Sequence, residues 1–489
     1  MRTTPLSERS SVRALRSAID AMADAPEFRN AYWGILIVDP DAGDTLYSRN
    51  AGKLFMPASN MKIITGSVAL HTLGPDFRFR TAFAGRGAVH DTMLDGDLLV
   101  YGRGDPTISD HMQNGDAMAP LHDIADSLVA HGIHHIAGRL VAAGDAFPDA
   151  DLGFGWSWDD LASDYSAGVN QLFFNEGFAQ LIVHGGAIPG DPVSVTTIPD
   201  RSYPVVVAHA TTAGMVPMLA AGGSAPRSSQ NPDSVMTTHL DVVLDTLTGA
   251  YALSGQIVPN GVDTLTVVYP NQREAYLFAL RDALADRGIT VDGGSFSDSL
   301  PVDTLFTYAS LPLTNVLAAL AKPSQNQIAE ILLKTLGLEQ TGVGSADSGR
   351  AVVTRQLLAW GADSDGFQLR DGSGLSRYDY LSPTTIVRTL AAIRHDTAFA
   401  AFYNALPIAG VDGTLDNRMR GTPAQGDVHA KTGSISNARS LSGYVTTADG
   451  RTLIFSLLAN NWTVPARDVL HVQDVIAERL AALRLGDSP

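Results

Sequence analysis

The chain changes its character twice along its length. Helical patterns fill both ends, whereas residues 77–303 consist mainly of short β-branched runs separated by Gly, Asp and Pro turns, with one helical pattern that ends at Gly288. At 489 residues the chain is also too long for one ordinary hydrophobic core. We therefore expect residues 1–76 and 304–489 to form one discontinuous α/β domain. The β-rich stretch is expected to be inserted into that domain and to contain one or two subdomains.

Several elements can be predicted from local patterns. Residues 32–49 are typical of two strands joined by a turn, and residues 57–74 of a helix with Pro in its first turn and Gly at its end. A hairpin is expected around residues 448–450, and a last helix over about residues 466–485. Residues 210–235 are poor in large apolar side chains and are predicted to be a loop.

Composition excludes several classes of function. A formal net charge of −17 with no basic run argues against a nucleic-acid partner. The absence of cysteine excludes disulfides, thiolate metal sites and a cysteine nucleophile. No segment has the 18 apolar residues of a membrane span, and the first 30 residues lack the apolar run of a signal peptide. The oligomeric state is left open.

The histidines of the stretch "HGIHHIAGRL" are candidates for metal ligands. His134 and His135 are adjacent, and with His131 they lie where a helix is expected to end and a strand to begin. Converging ligands are not expected from such a segment. No Gly-rich phosphate loop follows a strand and opens a helix. No metal and no other cofactor is predicted.

Lysine is scarce in this chain, and one lysine lies in an unusual place. The sequence contains five lysines, Lys53, Lys62, Lys322, Lys334 and Lys431. Lys62 follows Ser59 by three residues in the predicted helix of residues 57–74, so the two side chains share one helix face. A serine becomes a nucleophile when a neighbour takes its proton, and burial lowers the pKa of a lysine towards that task. The alternative is an ordinary surface pair near a helix start.

Two further short segments carry candidate catalytic groups. In "KPSQNQIAE", Ser324, Gln325 and Asn326 precede a helix, where simple capping is the alternative. In "AKTGSI", Lys431 and the residues after it lie in a predicted strand. A lysine there can attract a carboxylate, and Gly433 lets a ligand approach the backbone. The alternative for the second segment is a solvated strand beside a glycine bulge.

The three segments together form a recognisable set. Ser-x-x-Lys, Ser-x-Asn and Lys-Thr-Gly occur in the order found in β-lactamases and penicillin-binding proteins. The stretches "YGRGDPTI", "GWSWDDL", "RDGSGLSRYDYLSP", "GVDGTL" and "AKTGSISNARSLSGYV" extend the likeness over about residues 32–461. The chain resembles the class C low-molecular-mass penicillin-binding proteins, serine penicillin-recognising enzymes that act as D-alanyl-D-alanine carboxypeptidases and endopeptidases of peptidoglycan. Gln325 replaces the Asp of the usual second motif.

The resemblance implies a fold and a set of catalytic roles. The fold is a β-lactamase/transpeptidase-like core, an antiparallel sheet flanked by helices with a further α-helical part, that carries a large β-rich insertion. Ser59 would attack the carbonyl of the penultimate D-alanine, and Lys62 would be the general base. Ser324 would relay a proton to the departing amine, and Asn326 would orient the region of Lys62 and the substrate amide.

The same resemblance assigns substrate-binding groups. Lys431, Thr432 and Ser434 would hold the terminal carboxylate, and the charge of Lys431 would help to lower the pKa of Lys62. The backbone N–H groups of Ser59 and Ser434 would form the oxyanion hole. Gly433 would keep the strand close to the substrate. β-Lactams would acylate Ser59 as substrate mimics.

A second group of residues is expected to select the substrate. In relatives that prefer diaminopimelate-type peptides, residues of the matching motifs line the side-chain pocket, which points to Asp160, Tyr165 and Arg377 here. An Asp and an Arg suit the zwitterionic end of such a side chain. An ion pair between domains is an equally weighted alternative for these residues.

Three functions remain in competition at this stage. The first is a peptidoglycan D,D-peptidase, and the second is a serine β-lactamase or esterase on the same core. The third is a non-catalytic protein that binds the cell wall, which the intact motifs disfavour. The resemblance places the enzyme outside the cytoplasm, in the periplasm or cell-wall space, with peptidoglycan peptides and β-lactams as its ligands.

Overall fold

The computed structural model describes residues 6–214 and 237–486. The α-helices in these residues are α1 (Ser10–Ala23), α2 (Met61–Leu73), α3 (Ala119–Ala130), α4 (Gln272–Asp286), α5 (Leu313–Ala321), α6 (Asn326–Thr341), α7 (Ala346–Ala359), α8 (Pro383–Ile393), α9 (Phe399–Ala405) and α10 (Ala466–Ala481). Short 3₁₀ turns connect several of them, including the turn Ala58–Asn60 that leads directly into α2.

The β-strands are shorter and more numerous in the middle of the chain. Those of the first half are β1 (Tyr32–Asp39), β2 (Asp44–Arg49), β3 (Arg80–His90), β4 (Met93–Tyr101), β5 (His135–Ile136), β6 (Leu140–Ala142), β7 (Phe178–His184), β8 (Ser194–Ile198), β9 (Val206–Ala208) and β10 (Thr211–Thr212). Those of the second half are β11 (His239–Asp245), β12 (Ala250–Ile257), β13 (Val262–Val268), β14 (Thr290–Val291), β15 (Val302–Ala309), β16 (Phe367–Gln368), β17 (Tyr380–Leu381), β18 (Val428–Ile435), β19 (Ala438–Thr446) and β20 (Thr452–Asn460).

Both ends of the chain build one central sheet. Its antiparallel strands lie in the order β18-β19-β20-β1-β2. Successive side chains of a strand point to opposite faces. Ile35 and Ile37 pack into the core shared with α1 and α10, while Leu36 packs into the core shared with α2, α6 and α8. Because helices cover both faces, β1 is apolar along most of its length.

Residues 80–309 carry the other large sheets. One contains the strands β14-β5-β4-β3-β15 with β6 beside β4, and smaller sheets contain β13-β7-β8 and β10-β12-β11 with β9 beside β12. The helices α3 and α4 share a separate apolar core with the first of these sheets. Since β15 pairs with β3, that sheet extends to Ala309, past residue 303. The division of the chain into domains stays a prediction.

The local predictions can be compared with these elements. β1 and β2, α2, and the β19–β20 hairpin occur where the patterns placed them. The last helix ends at Ala481, earlier than residue 485. The loop predicted for residues 210–235 falls mostly outside the described residues. Among residues 6–214 and 237–486, no helix has the length and apolar character needed to cross a membrane.

Candidate active site

The first motif lies where a 3₁₀ turn becomes α2. Ser59 is in the turn, Lys62 is in the first turn of the helix, and the Lys62 Nζ lies 2.8 Å from the Ser59 Oγ. The residue before the serine, Ala58, has a φ of +48°, a left-handed conformation that costs a non-glycine residue about 1 kcal/mol or more. Gly374 permits this conformation, because a Cβ there would lie 1.8 Å from the Ala58 carbonyl oxygen.

The amine of Lys62 has three polar partners. It lies 2.6 Å from the Asn326 Oδ1, 3.0 Å from the Ser373 carbonyl oxygen and 2.8 Å from the Ser59 Oγ. The first two oxygens can only accept hydrogen bonds. A neutral amine has two N–H groups and one lone pair, so donating to both oxygens leaves the lone pair for the hydroxyl proton of Ser59. The arrangement is that of a base and a nucleophile.

The second motif is held by residues of the β-rich stretch. The Asn326 Nδ2 donates to the Tyr165 carbonyl oxygen at 2.7 Å, which fixes the amide with its Oδ1 towards Lys62. The Gln325 Nε2 donates to the Glu176 carboxylate at 2.8 Å, so the glutamine in the usual Asp position is an anchor between the two parts of the chain.

Ser324 does not cap the helix that follows it. Gln325 occupies the N-cap position of α6, and Ser324 precedes it with a φ of +69°. Its Oγ accepts a hydrogen bond from the Lys431 Nζ at 2.8 Å. The capping alternative is therefore wrong for Ser324. A left-handed, non-glycine residue beside a buried lysine is the kind of strained position that is found at functional sites.

The third motif lies on β18, and its lysine is not solvated. Lys431 is 1% exposed, and its Nζ donates to the Ser324 Oγ and, at 2.9 Å, to the Thr432 carbonyl oxygen. The Asn60 Nδ2 donates to the Lys431 carbonyl oxygen at 2.8 Å, which ties the start of α2 to β18. The alternative of a solvated strand residue is wrong, because the side chain is buried among the other motifs.

Gly433 brings β18 close to the nucleophile. A Cβ at this position would lie 2.1 Å from the Ser440 Oγ, 2.8 Å from the Pro57 carbonyl oxygen and 3.0 Å from the Ser59 backbone nitrogen. No side chain fits there without moving the strand. The glycine thus keeps the backbone of residues 433–434 beside the Ser59 N–H, where a shared oxyanion site needs it.

Burial is the main influence on both lysines. It lowers the pKa of Lys62 to about 7, although the charges of Asp371 and Glu330 oppose the shift. The pKa of Lys431 lies well below its usual range, because of burial first and of the charge of Lys62 second. Burial rather than the charge of Lys431 therefore accounts for most of the lowering at Lys62.

The three motifs open onto one cleft of about 330 Å³. Its lining includes the motif residues Ser59, Ser324, Asn326, Thr432, Gly433 and Ser434, and also Asp160, Tyr165 and Arg377. The side chains of Lys62 and Lys431 lie beneath this surface, fully buried. A larger cleft of about 1040 Å³, bordered by Arg78, Tyr101 and Glu339, contains no motif residue.

The three residues expected to select the substrate lie at the rim of the cleft. The Tyr165 hydroxyl donates to the Asp160 carboxylate at 2.8 Å, and the Arg377 guanidinium lies 3.5 Å from the Ser436 carbonyl oxygen. These partners leave a carboxylate and a guanidinium facing one cavity.

Several residues of the site lie outside the three sequence motifs. The Thr414 hydroxyl lies 2.7 Å from the hydroxyl of Thr432 and lines the cleft. Its loop is fixed by an ion pair of 2.7 Å between Lys322 and Asp412. The scarcity of lysine was a signal for Lys322, but nothing in the pattern linked it to Asp412. Ser373, whose carbonyl contacts Lys62, gave no signal at all.

Two histidines of the stretch "HGIHHIAGRL" have separate hydrogen-bond partners. The His131 Nδ1 lies 2.8 Å from the Ser127 carbonyl oxygen, and the His135 Nε2 lies 2.7 Å from the Asp292 carboxylate. Within residues 6–214 and 237–486, no group of three or more His, Cys, Asp or Glu side chains is arranged to hold a metal ion.

The chain is similar in sequence to known carboxypeptidases over most of its length. The model of the family described as D-Ala-D-Ala carboxypeptidase 3 (S13) matches residues 15–483. A D-alanyl-D-alanine carboxypeptidase of Actinomadura sp. is 34% identical over 484 residues, which cover 96% of this chain and 84% of the relative. The D-alanyl-D-alanine carboxypeptidase DacB of Haemophilus influenzae is 26% identical over 453 residues, 91% of this chain and 88% of the relative.

Solved structures are similar over the same extent. The crystal structure of penicillin-binding protein 4 from Haemophilus influenzae has a TM-score of 0.76 at 23% identity, and the match covers 96% of this chain and 99% of that chain. The same protein complexed with a β-lactam has a TM-score of 0.72 at 22% identity. These matches confirm the predicted fold class.

Proposed function

The chain belongs to the D-Ala-D-Ala carboxypeptidase 3 (S13) family, and we propose that Ser59 is its nucleophile and Lys62 the base that activates it. The protein is a serine-type D-Ala-D-Ala carboxypeptidase of the penicillin-binding class, and β-lactams acylate it. The assignment of Ser59 and Lys62 to these roles rests on one observation. The Lys62 amine has two pure acceptors and one hydroxyl around it, at 2.6–3.0 Å, in a buried site.

Acylation begins with a proton transfer. The Ser59 hydroxyl gives its proton to the neutral Lys62 amine while the Oγ forms a bond to the carbonyl carbon of the penultimate D-alanine. The carbonyl oxygen becomes an oxyanion, which the N–H groups of Ser59 and Ser434 stabilise. The close approach enforced by Gly433 supports this pairing of donors. Removing one donor of an oxyanion hole typically costs about 10²–10³-fold in turnover.

The leaving group then needs a proton. When the carbon–nitrogen bond breaks, the nitrogen of the terminal D-alanine takes the proton that Lys62 received, by way of the Ser324 hydroxyl. Since the Ser324 Oγ accepts from the Lys431 Nζ, its own hydroxyl hydrogen remains for the cleft. Water later attacks the ester with Lys62 again as the base, and Ser59 regains its proton.

The substrate carboxylate is held on β18. Thr432 and Ser434 border the cleft, and the amine of Lys431 lies buried beneath it. The Thr414 hydroxyl restrains that of Thr432, so it orients this carboxylate site. A penicillin, which carries a carboxylate beside its reactive amide, meets the same groups.

The rim selects the peptide. Asp160 and Arg377 are the charged groups for a zwitterionic side-chain end, and the Tyr165 hydroxyl orients the Asp160 carboxylate. Peptidoglycan peptides are the substrate class, with terminal D-alanine removal as the primary reaction and cleavage of D-amino-acid cross-links as a second one. Because that polymer lies outside the cytoplasm, we place the enzyme in the periplasm or cell-wall space.

Two other functions predict different behaviour. A serine β-lactamase on the same core would hydrolyse the penicilloyl ester rapidly, and a wall-binding protein without catalysis would form no ester. The experiment that separates them is incubation with a fluorescent penicillin, followed for hours. A long-lived adduct that is lost in Ser59→Ala supports the peptidase. Rapid turnover or absence of an adduct in the unmodified protein contradicts it. Release of D-alanine from a wall pentapeptide then measures the carboxypeptidase reaction against cross-link cleavage.

A further inference from the structure

Three buried acidic residues lie outside the lining of Ser59's cleft, and the charges of two of them act on Lys62. Glu330 is 3% exposed, Asp371 is 2% exposed and Asp379 is fully buried. The Asp371 carboxylate accepts hydrogen bonds from the N–H groups of Ser373 and Gly374 at 3.1 and 2.7 Å, and further bonds reach it from Ser376 and Trp156. The catalytic steps described above use none of these carboxyl groups.

Glu330 is joined to Lys62 through a single residue. It follows Asn326 by one turn of α6, so the two side chains share a helix face. Its carboxylate accepts from the Gly372 N–H at 3.1 Å and from the Ser373 N–H at 2.8 Å. The carbonyl oxygen of Ser373 accepts from the Lys62 Nζ at 3.0 Å. The same residue is thus held by Glu330 at its nitrogen and by Lys62 at its oxygen.

We propose that Glu330 is a positioning residue for the base: it holds the Ser373 carbonyl against the Lys62 amine and places a negative charge near that amine. The inference rests on the proposed role of Lys62. The geometric part follows from the two acceptors that Lys62 needs. If the Ser373 carbonyl moves away, one N–H of the neutral amine loses its partner, and the lone pair is no longer aimed at Ser59.

The electrostatic part follows from burial. Burial raises the pKa of Glu330 and the charge of Asp371 adds to the rise, whereas the N–H groups of Gly372 and Ser373 favour the ionised carboxylate. The negative charges of Asp371 and Glu330 raise the pKa of Lys62 against the effect of its own burial. Together these two charges prevent burial from lowering the pKa of Lys62 further, so the amine remains a sufficiently strong base near neutral pH.

Other charges surround this group, and each has its own partner. Asp379, whose pKa burial raises well above its usual range, faces Asp371 and Glu330. Lys431 faces Lys62 and donates to Ser324. Lys334, one turn further along α6, forms an ion pair of 2.7 Å with Asp149.

Glu330 also borders a second cavity. This cavity has a volume of about 310 Å³, is lined by Lys334, Arg350 and Arg370 among others, and contains none of the three motifs' residues. Glu330 therefore lies outside the lining of the cleft that the substrate would fill.

The test is the pH dependence of acylation in Glu330→Gln. The rate of reaction with a fluorescent penicillin is measured in single turnover between pH 5 and 10. The amide removes the charge and turns an N–H₂ group towards the Gly372 N–H. We expect the pH of half-maximal rate to fall by about 0.5–1 unit and the plateau rate to fall by about tenfold. A half-maximal pH that stays in place, with or without a lower plateau, overturns the proposal.

Two variants separate charge from structure. The Thr65 hydroxyl donates to the Gly372 carbonyl oxygen at 2.7 Å, so Thr65→Val loosens the same turn without changing a charge. It should lower the plateau and leave the half-maximal pH unchanged; a matching shift in Thr65→Val would contradict the electrostatic role. If Glu330→Gln does not fold, Glu330→Asp decides, because it keeps the charge on a shorter side chain. Its plateau should fall at an unchanged half-maximal pH, and a plateau at the wild-type level overturns the proposal.

The failure of this inference is distinguishable from failure of the proposed function. The same series includes Lys62→Met. Acylation of that variant at the wild-type rate would show that Lys62 is not the base, whatever Glu330 does. Loss of acylation in Lys62→Met with no shift in Glu330→Gln would reject the role of Glu330 alone.

Discussion

The floor and the rim of the cleft are built in different ways. On the floor, Lys62 and Lys431 are 2% and 1% exposed, and their amines have partners at 2.6–3.0 Å on several elements. At the rim, Tyr165 is 43% exposed and Arg377 has a contact of 3.5 Å. Proton transfer needs fixed geometry away from water, whereas recognition of a side chain tolerates solvated groups. Changes in the floor should therefore abolish the reaction, and changes at the rim should alter only the choice of substrate.

The largest effect is expected from Lys62→Arg. A guanidinium keeps its charge but cannot be deprotonated, so it cannot accept the proton of Ser59. Acylation by a fluorescent penicillin should fall by about 10²–10⁴-fold. The matched control is Lys334→Arg, at a buried lysine whose ion pair with Asp149 an arginine can keep. Equal losses in the two variants would mean that the larger guanidinium disturbs the buried structure, and wild-type acylation in Lys62→Arg would mean that the floor supplies a positive charge and not proton transfer.

The pH dependence of acylation in the unmodified enzyme tests whether Lys62 is the base. Because Lys62 must be neutral to act and its pKa is lowered to about 7, the rate of acylation should rise with pH through that value. At pH 5 it should be about 100-fold below its plateau. Single-turnover rates with the same penicillin give the curve. A rate that is constant from pH 5 to pH 9 would disprove the base role.

A smaller loss is expected from Gly433→Ala. The new methyl group would meet Ser440, Pro57 and the Ser59 nitrogen, so β18 must move away from the nucleophile. Acylation should fall by about 10–100-fold. Gly52→Ala is the control, since a Cβ there meets nothing within 4 Å. Wild-type acylation in Gly433→Ala would show that the approach of β18 is not needed for the oxyanion site.

The smallest effect on the chemistry is expected at the rim. Asp160→Ala removes the carboxylate that Tyr165 orients but leaves every contact of Lys62 in place. Acylation by penicillin should stay within about threefold of wild type, while the preference for peptides with a free zwitterionic side-chain end falls by about tenfold. Competition between two peptides measures that preference. If it does not change, the pocket hypothesis for Asp160 fails.

The sequence predicted the motif residues at the floor of the cleft better than the residues that contact them. Ser59, Ser324 and Lys431 were found because their residue types and order form a set, and each motif is short enough to be seen in one segment. The rim residues needed the family resemblance, since Asp160 and Arg377 are ordinary charged residues in isolation. The catalytic roles of the floor residues and the binding roles of the rim residues all stay predictions.

What the sequence could not predict depends on contacts made through the backbone. The Ser373 carbonyl and the Tyr165 carbonyl fix Lys62 and Asn326, and any residue type offers a carbonyl oxygen. The left-handed conformation of Ser324 is equally hidden, because serine before a helix favours a cap. The extension of β15 to Ala309 was missed because its pairing with β3 joins strands that are distant in sequence.

Peptide mapping of the acylated protein tests the position of the nucleophile most directly. After reaction with benzylpenicillin, trypsin should cut after Lys53 and Lys62 and release residues 54–62, LFMPASNMK, which contain Ser59 as their only hydroxyl side chain. We predict that this peptide carries the mass of one penicilloyl group and that Ser59→Ala carries none. A penicilloyl group on any other peptide, or an adduct that persists in Ser59→Ala, would contradict the assignment of Ser59 as the nucleophile.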